Sequence, residues 1–346
     1  MPENDNAPST TYDLISADNP ASILDALVAL DVVPASESIT KIGKAGEGNM
    51  NLVLRVTTDS RSVIIKQARP WVEKYPGIPA PDERILAEVD FYRCTGDDAA
   101  VSAAMPGVLA SSEAQRLLVL EDLGAASDYA ALYSTDVERS EVDSVFELAI
   151  DWVTQLHSCD VQREANIGCK PLRVLNHQHI FLIPLSDPPQ ADLDAVCDGL
   201  ANASRGLCND DTVQKAMAQL GEHYLSDGGK LLHGDYYPGS WLKTDSGFRV
   251  IDPEFCFCGP REFDLGVLAA HWIFCGGEAD NSMIERVCDA SGTESDEASR
   301  KLVAGFAGAE LIRRLIGVAQ LPLDANLQQR TQWMDCGVDF LKQSIG

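Results

Sequence analysis

The chain has 346 residues, 45% hydrophobic and 23% charged, the balance of a soluble globular protein long enough for two lobes without disulfide or metal staples. Its 27 Lys+Arg against 53 Asp+Glu leave a net charge of −26, a field that repels phosphate backbones and anionic lipid and argues against nucleic-acid or membrane partners. An anionic small molecule can still bind where local cations or backbone N–H groups override that field.

Nowhere do 18 apolar residues run together, and Met1–Thr11 is polar, without the apolar core of an export signal. The 10 cysteines form no C-x-x-C, and Cys256 and Cys258 are the closest pair. Reduced, mostly buried thiols in a cytoplasmic protein are the expectation.

Residues 1–12 read as a disordered tail. Ser22–Leu30 carries helical periodicity through Ile23, Leu27 and Leu30, and Pro34 follows it. A β-meander follows: Ile39–Ile42, Asn51–Thr57 and Ser62–Gln67, with Thr58-Asp59-Ser60 as a turn. Pro70–Pro81 reads as a proline-rich loop, Glu83–Tyr92 as a helix and Leu117–Leu120 as a short strand leading into Glu121-Asp122-Leu123-Gly124. Beyond Gly124 the patterns turn helical. Val142, Val145, Phe146, Ala149, Trp152, Val153 and Leu156 form a core-facing stripe. Asp187–Asp227 and Glu278–Glu297 are acidic with weak pattern and read as solvated helix faces. A strand-rich first part before a helix-rich remainder predicts an α+β, two-lobed architecture, with lobes at 13–124 and 125–346 and a ligand cleft between them.

Three segments carry chemistry. Gly43-Lys44-Ala45-Gly46-Glu47-Gly48-Asn49 lies between two strands, where glycines permit positive φ and close approach of backbone N–H groups to phosphate. It is neither a Walker A loop nor a Rossmann turn, and an ordinary hairpin reads as well. Lys66 ends the apolar run Val63-Ile64-Ile65; a phosphate-binding role needs a carboxylate partner, with Glu88 first and Glu83 in reserve. The strongest segment is His233-Gly234-Asp235, followed by Ser240 and then by Asp252-Pro253-Glu254 after the strand Phe248–Ile251. An Asp in a loop can accept a hydroxyl proton. A second carboxylate at a strand end can hold Mg²⁺ against phosphate, and Ser240 offers another oxygen. On an extended segment Asp252 and Glu254 would point the same way. His177 and His179 read as surface residues. His157 reads as packing or capping its helix, Trp71 as a pocket wall or core anchor, and Cys256 and Cys258 as buried thiols.

These segments, in this order, resemble the protein-kinase-like fold of the aminoglycoside phosphotransferase and choline kinase-like superfamily. The strings are most similar to its 5-methylthioribose kinase branch: 46–53, 65–72, Gly239-Ser240, Val250–Phe255, Gly259-Pro260, Phe263–Gly266 and Glu310–Gly317. The resemblance implies a small β-meander lobe and a larger helical lobe around ATP and Mg²⁺. It implies a catalytic base in Asp235, metal binding by Asp252, Glu254 and Ser240, and phosphate contacts from the Gly46, Gly48 and Asn49 loop. It further implies that Lys66, paired with Glu88, meets the α/β-phosphates, that the backbone at Glu121 and Leu123 meets adenine, and that Asp264 braces the catalytic loop. Arg313 and Arg314 would lie near the acceptor and the transferred phosphate, although neighbours on a helix diverge by about 100°. The branch's usual Leu-His-Thr is here Tyr236-Tyr237-Pro238.

The resulting expectation is an ATP-dependent phosphotransferase acting on a small-molecule hydroxyl, foremost a sugar such as 5-methylthioribose. A nucleotide-binding pseudokinase and a metal-dependent hydrolase are the alternatives. Homodimer formation is left open.

Overall fold

A computed structural model describes residues 10–46, 48, 50–161, 167–291 and 297–345. Five antiparallel strands make one sheet in the order Ile39–Lys44, Leu52–Thr58, Ser62–Gln67, Leu117–Glu121, Val108–Ser112. Alternation along the central strands separates two faces. Leu54, Val56, Val63, Ile65, Leu117 and Val119 pack with Ile23 and Leu27 of the helix Pro20–Ala29. Lys66, one residue past Ile65, therefore points from the opposite face, opposite Leu118 in register. That face is covered by the helix Arg84–Thr95, whose Ile85, Glu88, Phe91 and Tyr92 are buried.

The rest of the chain is mainly helical. Glu262–Phe274 is buried all round except at its first residue, and Glu297–Ile316 is buried from Val303 to Ile316, which marks both as central core helices. Arg139–Ser158, Asp211–Leu225 and Leu327–Ser344 surround them with amphipathic faces. Two small antiparallel units carry the chemistry-bearing loops. Lys230–Leu232 pairs with Phe257–Gly259, and Trp241–Thr244 lies between Gly247–Val250 and Ala126–Asp128. Among the described residues no helix is long and apolar enough to cross a membrane.

Several expectations need correction. The tail of residues 1–12 lies outside the described residues up to residue 9, but Tyr12 is buried. Its hydroxyl donates to Ala68 O at 3.0 Å and Asp82 Oδ2 at 2.8 Å, so this end of the segment is tied down. The proline-rich stretch is not only loop: Trp71–Val72 pairs with Tyr75–Pro79, and Trp71 is buried. The edge strand Val108–Ser112 gave no signal because none of its residues is fully buried. Within the acidic stretch, Asp210 caps a full helix by accepting from the backbone N–H groups of Thr212 and Val213.

Candidate active site

Lys66 and Asp252 join the two parts of the chain. Lys66 Nζ donates to Glu88 Oε1 at 2.6 Å and also to Asp252 Oδ1. Burial opposes the ammonium charge, but the Asp252 and Glu88 carboxylates outweigh it and hold the group well above its ordinary range. Glu88, the expected first partner, is fully buried, and its Oε2 has no hydrogen-bond partner among the described residues. Glu83 is not used by Lys66.

The loop after Lys230–Leu232 is braced from below. Asp264 accepts from the backbone N–H of His233 at 2.8 Å and of Gly234 at 3.0 Å. His157 Nε2 meets the same carboxylate at 3.2 Å, so this histidine supports the brace rather than capping its own helix. Gly234 has φ +85°, and a Cβ there would lie 2.1 Å from Phe255 O, so only glycine fits. The turn presents Asp235, whose side chain is 23% exposed. Ser240 Oγ donates to Asp235 O at 2.8 Å and closes the loop.

Both arginines reach that carboxylate. Arg313 Nη2 and Arg314 Nη2 each lie 3.1 Å from Asp235 Oδ1. The expected divergence of helical neighbours is overcome because Glu310 sits one turn earlier beneath both side chains. Its carboxylate accepts from Arg313 Nε and, at 2.8 Å, from Arg314 Nε. Burial raises the Glu310 carboxyl, but the two guanidiniums prevail and hold it well below the usual carboxylate range. His271 Nε2 donates to Glu310 Oε1 at 2.9 Å, because a carboxylate can only accept, and Nδ1 accepts from Tyr133 OH at 2.7 Å. Tyr237 lies over the site: its ring stands 4.6 Å from the Arg314 guanidinium carbon, and burial followed by the Asp235 charge pushes its hydroxyl up to about 12.

His271 gives a pH prediction. Burial lowers it from 6.5 to about 4, so the folded state holds the ring neutral while the unfolded chain protonates it first. Stability from this group is complete above pH 6.5 and is lost as pH falls toward 4, in total about 3 kcal/mol at 1.36 kcal/mol per pKa unit. Urea unfolding across that window should show the decline. In His271→Gln, which does not titrate, the pH dependence should be shallower, and an unchanged slope would exclude His271 as its source.

Asp252 and Glu254 do not lie on an extended segment. Asp252 has φ +61°, a left-handed conformation that is strained for a residue other than glycine, and Pro253–Phe255 form a 3₁₀ turn. The two carboxylates therefore take separate partners. Asp252 meets Lys66, whereas Glu254 Oε2 accepts from Asn51 Nδ2 at 2.8 Å with Arg84 Nε at 3.8 Å. Burial pushes the Glu254 carboxyl up to about 8, with Arg84 pulling against it.

Arg84 was not singled out in the sequence. It is wholly buried and donates to Asn51 Oδ1 and to the carbonyls of Met50, Arg69, Trp71 and Pro81. Asp122 is another unforeseen tether: it accepts from Arg55 Nε, Ser62 Oγ and the N–H of Gly124. Beside it Glu121 is an exposed strand end whose backbone N–H donates to Gly107 O at 2.8 Å, and Leu123 is half-buried. In the glycine-rich hairpin Gly46 does not have positive φ, and a Cβ there would meet nothing within 4 Å. Asn49 lies outside the described residues. His177 packs on Gly221 and Phe181, while Cys256 is a buried thiol donating to Ala87 O.

A β-sheet lobe set against a helical lobe, with an ammonium–carboxylate pair bridging them beside an arginine-held aspartate, defines a kinase-like fold. Residues 41–302 match the phosphotransferase enzyme family, well over half of the chain, and the chain belongs to that family of small-molecule kinases. It is 28% identical to a methylthioribose kinase of Exiguobacterium sibiricum over 82% of this chain and 80% of that protein. The fold is shared with a choline/ethanolamine kinase family protein from Mesorhizobium loti, with TM-score 0.53 and 16% identity over 93% of this chain and 94% of that one. It is shared also with a spectinomycin phosphotransferase, APH(9)-Ia, solved with ADP and spectinomycin, with TM-score 0.51 and 13% identity over 96% and 99%.

Proposed function

We propose that this enzyme transfers the γ-phosphate of MgATP to a hydroxyl of a small sugar, with 5-methylthioribose the first acceptor to test. The observation that carries the reading is the Asp235 carboxylate, partly exposed on a braced loop, with two guanidinium groups on one oxygen. Both arginines use Oδ1, which leaves Oδ2 to orient the acceptor hydroxyl and take its proton. Lys66, kept charged, would meet the α/β-phosphates, with Glu88 holding it in place. The hairpin of Gly46 and Gly48 would cover the phosphates, and the backbone at Glu121 and Leu123 would meet adenine. The 13–124 and 125–346 lobes would enclose the nucleotide. Similarity to methylthioribose kinases supports the choice of acceptor.

Among the described residues no three His, Cys, Asp or Glu side chains cluster as a metal cage. Mg²⁺ needs none, since it keeps water and phosphate oxygens and takes only one or two carboxylates. Asp252, with its side chain 37% exposed, fits as a hard oxygen donor, and Glu254, held by Asn51, would lie near the ion. Ser240 would contribute through its oxygen lone pairs, its proton being engaged by Asp235 O. When bound, the ion would neutralise phosphate charge.

Thermal unfolding with MgATP, and with ATP plus EDTA, tests the cleft. Ligand at about 100 times its Kd adds about 2.7 kcal/mol, a rise of about 4 °C for a chain of this length. The rise should require Mg²⁺. Absence of any shift with ATP or GTP would overturn the kinase reading.

A further inference from the structure

We infer that Glu310 is a positioning residue for phosphoryl transfer, aiming both guanidiniums at Asp235, with Tyr133 and His271 fixing it in that role. This rests on the reading of Asp235 and the arginine pair as the reacting centre.

Adjacent residues on a helix point about 100° apart, so adjacency alone would send Arg313 and Arg314 to different neighbours. Glu310 stands three and four residues earlier, under both. Its Oε2 takes Arg313 Nε, and its Oε1 takes Arg313 Nη2 at 3.1 Å, Arg314 Nε at 2.8 Å and His271 Nε2 at 2.9 Å. With the Nε groups of both arginines held there, their Nη2 groups extend to the same atom, Asp235 Oδ1, at 3.1 Å. Glu310 itself cannot swing. It is 1% exposed, and the His271 ring that donates to it is fully buried and accepts in turn from Tyr133 OH at 2.7 Å. The chain Tyr133–His271–Glu310 thus ties the arginines to a second core helix and to the segment after Gly124.

The charges balance as well. Two guanidiniums face two carboxylates around a neutral imidazole. An incoming phosphate can draw the Nη2 groups away from Asp235 while the Nε groups stay on Glu310. Asp235 Oδ1 is then freed as well, without loss of the cations. With Glu310 uncharged, two buried cations would share the Asp235 charge, and only the Tyr237 ring and the Ala319 carbonyl would still hold Arg314.

The test uses the full chain with Glu310→Gln and Tyr133→Phe. It measures MgATP-induced thermal stabilisation, kcat and KM with methylthioribose, and the arginine Nε–H signals by ¹⁵N NMR. In Glu310→Gln we expect kcat to fall about 100-fold, as for a misplaced reacting group, with MgATP stabilisation kept and the KM for MgATP within about threefold. The slowly exchanging Nε–H signals of Arg313 and Arg314 should disappear. Tyr133→Phe removes one hydroxyl and should lower kcat about tenfold, again without weakening MgATP. Wild-type kcat in Tyr133→Phe overturns the proposal even where Glu310→Gln does not fold. A parallel loss of kcat and MgATP stabilisation overturns it too, because that marks general damage. A wild-type chain that neither binds MgATP nor phosphorylates methylthioribose overturns the functional reading itself, and the positioning role with it.

Discussion

Asp235→Asn should lower kcat by about 10³- to 10⁴-fold while leaving MgATP-induced stabilisation unchanged. The amide keeps the shape of the carboxylate, and one oxygen can still accept from Arg313 and Arg314. That geometry turns the amide NH₂ toward the acceptor, where it donates a hydrogen bond and cannot take a proton. The loop should survive the change. Its backbone is held by Asp264 through His233 and Gly234, and by Ser240 through the Asp235 carbonyl, none of which involves the substituted side chain. Nucleotide contacts belong to Lys66 and the sheet lobe in this reading, so ATP binding and turnover separate cleanly. Steady-state kinetics beside thermal shift measures both. A kcat within tenfold of wild type would remove Asp235 from the role of base.

The parts of this site that were legible in the sequence are those whose chemistry conflicts with their local pattern. A lysine closing an apolar strand demanded a carboxylate, and Glu88 lies on the next helix at the right turn to supply it. His233-Gly234-Asp235 stood out because an acidic residue follows a short apolar strand, and the positive φ of Gly234 shows why a glycine makes the turn. What stayed hidden are buried polar residues inside ordinary helix patterns. Arg84 begins a helix, where an arginine usually faces water. Its role lies in the carbonyls of a loop and a hairpin that come together only on folding. Glu310 follows an apolar run of its helix and reads as a partner for any nearby arginine; that both neighbours use it follows from the long, flexible stems of Arg313 and Arg314. The bend at Asp252 was also unreadable. Alternation assumes an extended backbone, and nothing in Asp-Pro-Glu announces φ +61°. This turn sends Asp252 to Lys66 and Glu254 to Asn51, so one stretch of chain contacts two parts of the sheet lobe.

Arg84→Lys should cost about 3 kcal/mol or more of stability, about 4 °C in the unfolding midpoint, and should shrink the MgATP shift as well. The planar guanidinium spreads its donors over Asn51 Oδ1 and the carbonyls of Met50, Arg69, Trp71 and Pro81. An ammonium offers three donors from one point and cannot span that fork. Of five acceptors at least two would lose their bond from residue 84, at about 1–3 kcal/mol for each that no other donor reaches. The effect on nucleotide follows from which segments come loose. Met50 and Asn51 close the glycine-rich hairpin, Trp71 belongs to the small hairpin beside it, and Asn51 links both to Glu254. Denaturant unfolding with and without MgATP reads both effects in one titration. A variant as stable as wild type would mean that the carbonyls find other donors. A destabilised variant with its full MgATP shift would mean that the hairpins hold the nucleotide without Arg84.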